Sequence, residues 1–389
     1  MKACIVGWAH IPFGRHENKD IEDLIVEVTP AALKDAGVSA SDIDHIFVGH
    51  FNAGFSEQHF PSSLVLQSDP NFRFKKSTRI ENACATGSAA VHAALNNVIS
   101  GQSRLALVVG VEKMTSVSSN QVGENLLKAS YLKEEGMIEG GFAGIFARIT
   151  QYYFQKYGDQ SDALAMIAAK NHKNGVSNPY AHIRKDLGYE FCRHVSEKNP
   201  IVAGPLKRTD CSLVSDGAAA LIIANEETAR SLKKAIAFRS AQQVNDFLPM
   251  SKRDIVLFEG AALAWNKALD ESQTSLNDLS FVETHDCFTI AELIQYEAMG
   301  LAKPGEGARI IREGWTEKNG RLPVNPSGGL KAKGHPIGAT GVSMHVMASM
   351  QLMNQAGDMQ IKNAKLAGIF NMGGAAVANY VSILEPLHA

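Results

Sequence analysis

The sequence predicts an α/β fold of two similar halves, with an extra segment inserted into the first, and three observations carry that prediction. Short apolar runs alternate with stretches of helical periodicity, the pattern of an α/β domain. Short matches also recur in the same order. Ala32-Leu33, Ser39, Asp42, Ile43 and Ile46 match Ala268-Leu269, Ser275, Asp278, Leu279 and Val282 at an offset of 236. Cys84-Ala85-Thr86-Gly87 matches Gly338-Ala339-Thr340-Gly341 at 254, and Gly217-Ala218-Ala219 matches Gly374-Ala375-Ala376 at 157. The drop between the last two offsets places about 97 extra residues ahead of the first half's last strand. The expected units are a first half over 1–117, an inserted loop domain over 118–211, a return strand over 212–236 and a second half over 237–389.

Taken in order, Lys2 to Trp8 reads as a strand, and Ile21 to Ala36 as a helix ended by Gly37, a C-cap residue. Ile43 to Val48 follows as a strand after the Ser41-Asp42 turn, whereas Phe72 to Ile80 is mixed and loop-like. Ala85 to Ile99, rich in alanine and free of proline, predicts a buried helix. Leu105 to Val111 is continuously apolar, as in strands covered on both faces. From Thr115 to about Lys207 the pattern loosens around Gly140-Gly141 and Asn178-Pro179, with short helical pieces such as Ala163 to His172. Strand character returns at Ser212 to Asn225, with Ser215-Asp216-Gly217 as a turn.

Composition narrows the class of function. With 389 residues, 45% hydrophobic and 20% charged, the chain has ample core material for two or three domains. A net charge of -2 without a basic or acidic block speaks against nucleic acid and membrane surfaces as partners. The five cysteines form no CxxC pair, which fits a reducing compartment and argues against a disulfide frame or zinc ribbon. No signal-peptide pattern opens the sequence and no apolar run reaches membrane-spanning length, so a cytoplasmic protein without a membrane span is expected.

Four stretches carry chemistry. Cys84, in Asn82-Ala83-Cys84-Ala85-Thr86-Gly87, falls where a loop meets a helix start, and the helix's positive end would favour a thiolate. The bland alternative is a small buried hydrophobe. If the halves superpose, His335 in Gly334-His335-Pro336 precedes the helix matching that of Cys84 and comes close to it, as a cysteine nucleophile's base must. His285-Asp286-Cys287-Phe288 sits at the end of a strand, where α/β active sites collect. Three consecutive residues seldom all reach one ion, so no metal is expected there. Asn371-Met372-Gly373-Gly374 is a strand running into a glycine turn whose N–H groups suit an oxyanion.

In this order and spacing the motifs NACATGS, Ser215-Asp216-Gly217-Ala218-Ala219-Ala220, Gly334-His335-Pro336 with its trailing GATG, and the C-terminal glycine turn resemble the thiolase superfamily over nearly the whole chain. The resemblance implies two α/β halves with an inserted loop domain that binds coenzyme A. It implies that Cys84 is acylated, that His335 takes its proton, and that the backbones of Cys84 and Gly373 hold one oxyanion. A second oxyanion hole would use His335 and a water held by His285. Two departures stand out. Most thiolases have Asn-Glu-Ala-Phe where this chain has His285 to Phe288, and a second catalytic cysteine where it has Asn371. The HDCF form is similar to sterol-carrier-protein-type thiolases, in which the cysteine, here Cys287, does the acid–base work at the α-carbon.

The activity implied is acyl-CoA:acetyl-CoA C-acyltransfer, run as thiolysis or Claisen condensation, with coenzyme A and acyl-CoA as substrates and no other cofactor. The Lys207-Arg208 pair is a candidate contact for a coenzyme A phosphate. A homodimer or homotetramer is expected, with a small acyl-CoA-binding protein as a further partner in some relatives. Two alternatives stand beside this reading: a partner-dependent or non-catalytic thiolase-like subunit, and a ketoacyl-synthase-like condensing enzyme. Cys287-Phe288-Thr289-Ile290 does not match the Gly-Thr-rich motif of the latter. His10, His45, His50 and His92 read as structural or surface histidines, and Met114, Met137 and Phe142 as acyl-path or core residues.

Overall fold

A computed structural model describes residues 2–387. The strands are β1 (Ala3–His10), β2 (His45–Gly49), β3 (Lys76–Ile80), β4 (Leu105–Glu112), β5 (Ile201–Ala203), β6 (Leu206–Lys207), β7 (Gly217–Asn225), β8 (Ile236–Asn245), β9 (Phe281–Thr284), β10 (Ala367–Gly373) and β11 (Ala378–Pro386). β5 and β6 form a separate hairpin; the other nine make one mixed sheet in the order β3-β2-β4-β7-β1-β8-β11-β10-β9. β2 runs parallel to β3 and β4, while β7 is antiparallel to β4 and to β1. The second half repeats this outward from the join: β11 is antiparallel to β8 and β10, and β9 is parallel to β10. A parallel bridge from Val282 to Val324 stands where β3 stands in the first half. The halves meet where β1 pairs antiparallel with β8.

The repeat survives in detail. At the turn before β2, Ser39 N–H donates to Asp42 at 2.8 Å, and before β9 Ser275 N–H donates to Asp278 at 2.8 Å. The match at offset 157 is looser, since Gly217 opens β7 whereas Gly374 to Ala376 lie in the turn ahead of β11. Alternation sorts the strand side chains. In β1 and β4, Cys4, Val6, Leu107 and Val109 face a core shared with the helix Ile21–Ala36, whose C-cap is Gly37 at φ 72°. Ala3, Ile5, Ala106 and Val108 face the two central helices, Thr86–Ile99 and Ile337–Leu352. Those helices cross at glycines: a Cβ on Gly87 would lie 2.6 Å from Gly341 N, so any side chain would force them apart.

Two expectations need correction. Lys76 to Ile80 is an edge strand, not a loop; it is polar up to Ile80 with no apolar residue alternating along it, and pairing with β2 supplies the order. The insert is more helical than its breaks suggested: Gly140 at φ 82° caps a 17-residue helix, Gly141–Tyr157, rather than interrupting one. A second long helix covers Ser161–Gly175. Most of the insert's apolar packing is shared, because Phe142, Phe146, Ile149, Leu164 and Ile167 join one core with Leu293, Ile294, Ile310 and Phe370 of the second half; a small cluster around Ala165, Ala168 and Cys192 lies within the insert itself. Among the described residues no helix is long and apolar enough to cross a membrane.

Candidate active site

Cys84 is presented by a tight turn rather than by the helix itself, which begins at Thr86. Asn82 N–H donates to Thr86 Oγ1 at 2.8 Å, its side-chain amide donates to Tyr380 Oη at 2.8 Å, and Ala85 N–H returns to Asn82 O at 3.1 Å. Ala83 is held at φ 48°, a left-handed conformation costing an L-residue about 1–2 kcal/mol. The turn aims the thiol at two imidazoles from the other half. Cys84 Sγ and a ring nitrogen each of His285 and His335 lie within 4.8 Å of one another, all three side chains buried. The two rings meet edge to face with centroids 5.1 Å apart.

Each imidazole is fixed by a different partner. Thr340 Oγ1 donates to Pro336 O at 3.0 Å, so its lone pair accepts from His335 Nδ1–H at 2.7 Å. His335 Nε2 then carries a lone pair and has no protein partner. His285 hangs from the end of β9, where Gln295 clamps its backbone: Gln295 Nε2 donates to His285 O at 2.7 Å, and His285 N–H donates back at 3.2 Å. Asn371 Nδ2, on β10, donates to Cys84 O at 3.1 Å and to His285 Nδ1 at 2.8 Å. With Nδ1 accepting, His285 carries its proton on Nε2, also without a protein partner. One ring therefore offers an acceptor and the other a donor toward the same thiol.

Electrostatics overturn the expected thiolate. Burial pushes Cys84 up to about 12, with the Glu112 and Glu81 carboxylates adding to the rise, while hydrogen bonds from the Gly374 and Cys84 N–H groups pull only part of the way back. Burial and then the Lys333 charge lower His335 to about 3. His285 is lowered well below its usual range by burial and by His335. The resting pair is thus a neutral thiol and a neutral imidazole. Cys287 is buried, and burial, the Cys84 thiol and the Asp286 carboxylate push it well above the usual thiol range. Gly373 packs against the Cys84 turn, where a Cβ would lie 2.5 Å from Asn82 O, but the N–H bonded to Sγ is that of Gly374.

The surroundings hold these loops in register. The Glu112 carboxylate at the end of β4 accepts from Phe51 N–H at 3.0 Å, Asn52 N–H at 2.9 Å and Gly338 N–H at 3.0 Å, tying the first half to the His335 helix. Asp286 accepts from Leu330 N–H at 2.6 Å and Lys331 N–H at 3.2 Å, pinning the glycine-rich loop to the strand end. Insert helix Ser161–Gly175 reaches the same place: Lys170 Nζ pairs with Glu292 at 2.6 Å, both side chains fully buried, and Asn171 Nδ2 donates to Asp286 at 2.8 Å. Phe288 stacks on Phe146 of the insert with centroids 4.3 Å apart.

Of the remaining expectations, Lys207 is not available to a phosphate, because its buried ammonium is paired with Asp210 at 2.8 Å; Arg208 beside it is exposed. Met114 and Phe142 are buried, but Met137 is 97% exposed and fills no core. His92 and His50 are buried, and His92 shares the Ser382 hydroxyl with His345 at 3.0 and 2.9 Å. The sequence reading missed Thr340, Gln295, Glu112 and the bonding role of Asn371, and it had Gly374 only as part of the glycine turn. Thr340 alone left a signal, one helical turn after His335 within the GATG run.

Residues 3–188 match the family model described as thiolase, N-terminal domain, and residues 241–386 match that described as thiolase C-terminal domain-like. The chain is 34% identical over 385 residues to an acetyl-CoA acetyltransferase of Methanothermobacter thermautotrophicus, covering 98% of this chain and 99% of that one. It is 31% identical over 382 residues to sterol carrier protein 2 of Homo sapiens, covering 94% and 68%. It is 30% identical over 370 residues to benzoylsuccinyl-CoA thiolase subunit BbsB of Thauera aromatica, covering 93% and 91%. A solved structure, Ltp2-ChsH2(DUF35) aldolase, shares the fold with TM-score 0.83 at 22% identity, over 99% of this chain and 97% of that one.

Proposed function

This chain belongs to the thiolase family, and on that premise we propose that it is an acetyl-CoA C-acyltransferase whose acyl carrier is Cys84. One observation carries the assignment of roles: a buried thiol faces an imidazole acceptor and an imidazole donor within 4.8 Å. In the thiolytic direction Cys84 Sγ attacks the 3-keto carbon of a 3-ketoacyl-CoA as its proton passes to His335 Nε2. The Cys84 and Gly374 N–H groups lie beside the sulfur, and they are assigned as donors to the 3-keto oxygen, which becomes the first oxyanion as the S–C bond forms. The bond between C2 and C3 then breaks, leaving the acyl group on Cys84 and an acetyl-CoA enolate. The enolate oxygen takes hydrogen bonds from His285 Nε2–H and the newly protonated His335, and Cys287 delivers the proton to C2. A second coenzyme A thiol gives its proton to the Cys287 thiolate and takes the acyl group, and Cys84 leaves with the proton returned by His335. Condensation is the reverse.

Burial suits this order of events. A neutral pair needs no solvent to hold charge at rest, and charge appears only as the bond to carbon forms, where donors are already placed. Coenzyme A contacts are assigned to the insert, whose helices frame the Cys287-Phe288 loop. A homodimer or homotetramer fits the half-exposed edge strand β3, an open row of backbone donors and acceptors. A second reading, activity only with a partner chain, draws on the relative named as a thiolase subunit. Incubation with acetyl-CoA followed by peptide mass mapping tests the proposal. Acetyl on Cys84, absent after Cys84→Ser, is expected; an unmodified Cys84 in a protein active in thiolysis overturns it.

A further inference from the structure

Among the described residues, one cluster of His, Cys, Asp and Glu groups has the geometry of a metal site, and it is Cys84, His285 and His335 themselves. A thiolate and two imidazoles are the ligand set of many zinc sites, and a closed, buried triangle of them would bind zinc and inactivate the thiol. A metal needs a lone pair from each ring, however. His335 presents one on Nε2, because its single proton is on Nδ1, donated to Thr340 Oγ1. His285 does not, because Asn371 donates to its Nδ1 and leaves the proton on Nε2.

We propose that Asn371 is a positioning residue that fixes the His285 tautomer, and so keeps the triangle a proton-transfer site instead of a zinc site. The orientation of the Asn371 amide is itself determined. Its nitrogen lies 3.1 Å from the Cys84 carbonyl, which can only accept; reversing the amide would set oxygen against oxygen there. Both protons of Nδ2 are thus committed, one to Cys84 O and one to His285 Nδ1. Asn371 is fully buried, so no solvent competes for these bonds. Aspartate at this position would have nearly the same shape and the opposite effect. Its carboxylate accepts from His285 Nδ1–H, which moves the lone pair to Nε2 and completes a Cys-His-His donor set, the arrangement by which carboxylates orient metal-binding histidines. Asparagine is the one side chain of this shape that donates to His285 and to Cys84 together.

The inference deepens the role given to His285 above. It is tested on resting protein without substrate, so its failure and a failure of acyl transfer are read separately. With histidine labelled by 15N, and His285 identified by the signals lost in His285→Gln, the unsubstituted protein is expected to show a protonated Nε2 and an unprotonated Nδ1 on that ring. Zinc titration by calorimetry then compares Asn371→Asp with the unsubstituted chain. The aspartate variant is expected to bind zinc about 10–100-fold more tightly, and to lose that gain when Cys84→Ala is added. An Nδ1–H tautomer of His285 in the unsubstituted protein overturns the proposal, whether or not the aspartate variant folds. Equal zinc affinity in a folded Asn371→Asp overturns it as well.

Discussion

Thr340 lies one helical turn after His335 and accepts from its Nδ1–H at 2.7 Å while its hydroxyl donates to Pro336 O, which leaves the lone pair on Nε2 as the proposed base requires. Thr340→Val removes that hydroxyl and keeps the shape. The expected result is a fall in kcat of about 10-fold or more with KM little changed, because positioning of the base acts in the transition state. Steady-state thiolysis kinetics check this; an unchanged kcat sinks the tautomer assignment of His335.

The pH profile follows from the same pair. Burial and the Lys333 charge lower His335 from 6.5 to about 3, so it stays an unprotonated base throughout the neutral range. The acid limb usual for a catalytic histidine, near pH 6.5, should therefore be missing from kcat/KM of the thiolytic reaction. A rate that halves near pH 6.5, at constant folded fraction, contradicts it.

Stability, unlike rate, should respond in that range. Burial lowers His92, His172 and His335 to about 3 and His345 to about 4, each from 6.5. Their folded values lie below the unfolded one, so the unfolded chain binds more protons as pH falls. Stability is whole above about pH 6.5 and is lost on the way down, by about 1.4 kcal/mol per pH unit for each histidine in the window. Urea midpoints measured from pH 7 to pH 5 should drop steadily, and a flat or rising series refutes the assignment.

Cys287 is proposed above to carry the α-proton, with His285 as the rival carrier. His285 Nε2 is buried without a protein partner, while burial pushes the Cys287 thiol well above the usual range. Cys287→Ala should still take acetyl from acetyl-CoA onto Cys84 but lose exchange of the α-protons into heavy water. If exchange survives in that variant and vanishes in His285→Ala, the proton belongs to His285.

The insert is fastened by charge as well as by its apolar core. Lys170→Met leaves the Glu292 carboxylate buried without its cation, at an expected cost of about 3–5 kcal/mol. Adding Glu292→Gln should recover part of the loss, since no charge is then stranded. Equal melting temperatures for the single variant and the unsubstituted chain exclude this account.

What the sequence disclosed were residues whose neighbours in the chain are also neighbours in the fold. Cys84, His335 and the His285–Cys287 run stand in short motifs, and the Ser39/Asp42 and Ser275/Asp278 turns are repeated residue for residue. It disclosed position but not depth. The helix start suggested a thiolate at Cys84, whereas the surrounding low-dielectric shell, brought together from both halves, holds the thiol protonated. Asn371 read only as a missing cysteine, because its partners lie 86 and 287 positions away. Lys170 and Glu292, 122 apart, left no pattern at all. β3 was lost for a related reason: an edge strand with polar residues takes its shape from its neighbour.

The place of β1 between β7 and β8 has a consequence for synthesis. Ala3 to His10 leave the ribosome well before their partners and have no partner strand until 217–225 and 236–245 have also been made. The rest of the first half and the insert must emerge before this strand can be covered. Nascent chains stalled before residue 217 should expose that apolar strand to proteases and holding chaperones, and those stalled past the β8 segment should not. The join that makes one sheet of two halves is thus also a clock on translation.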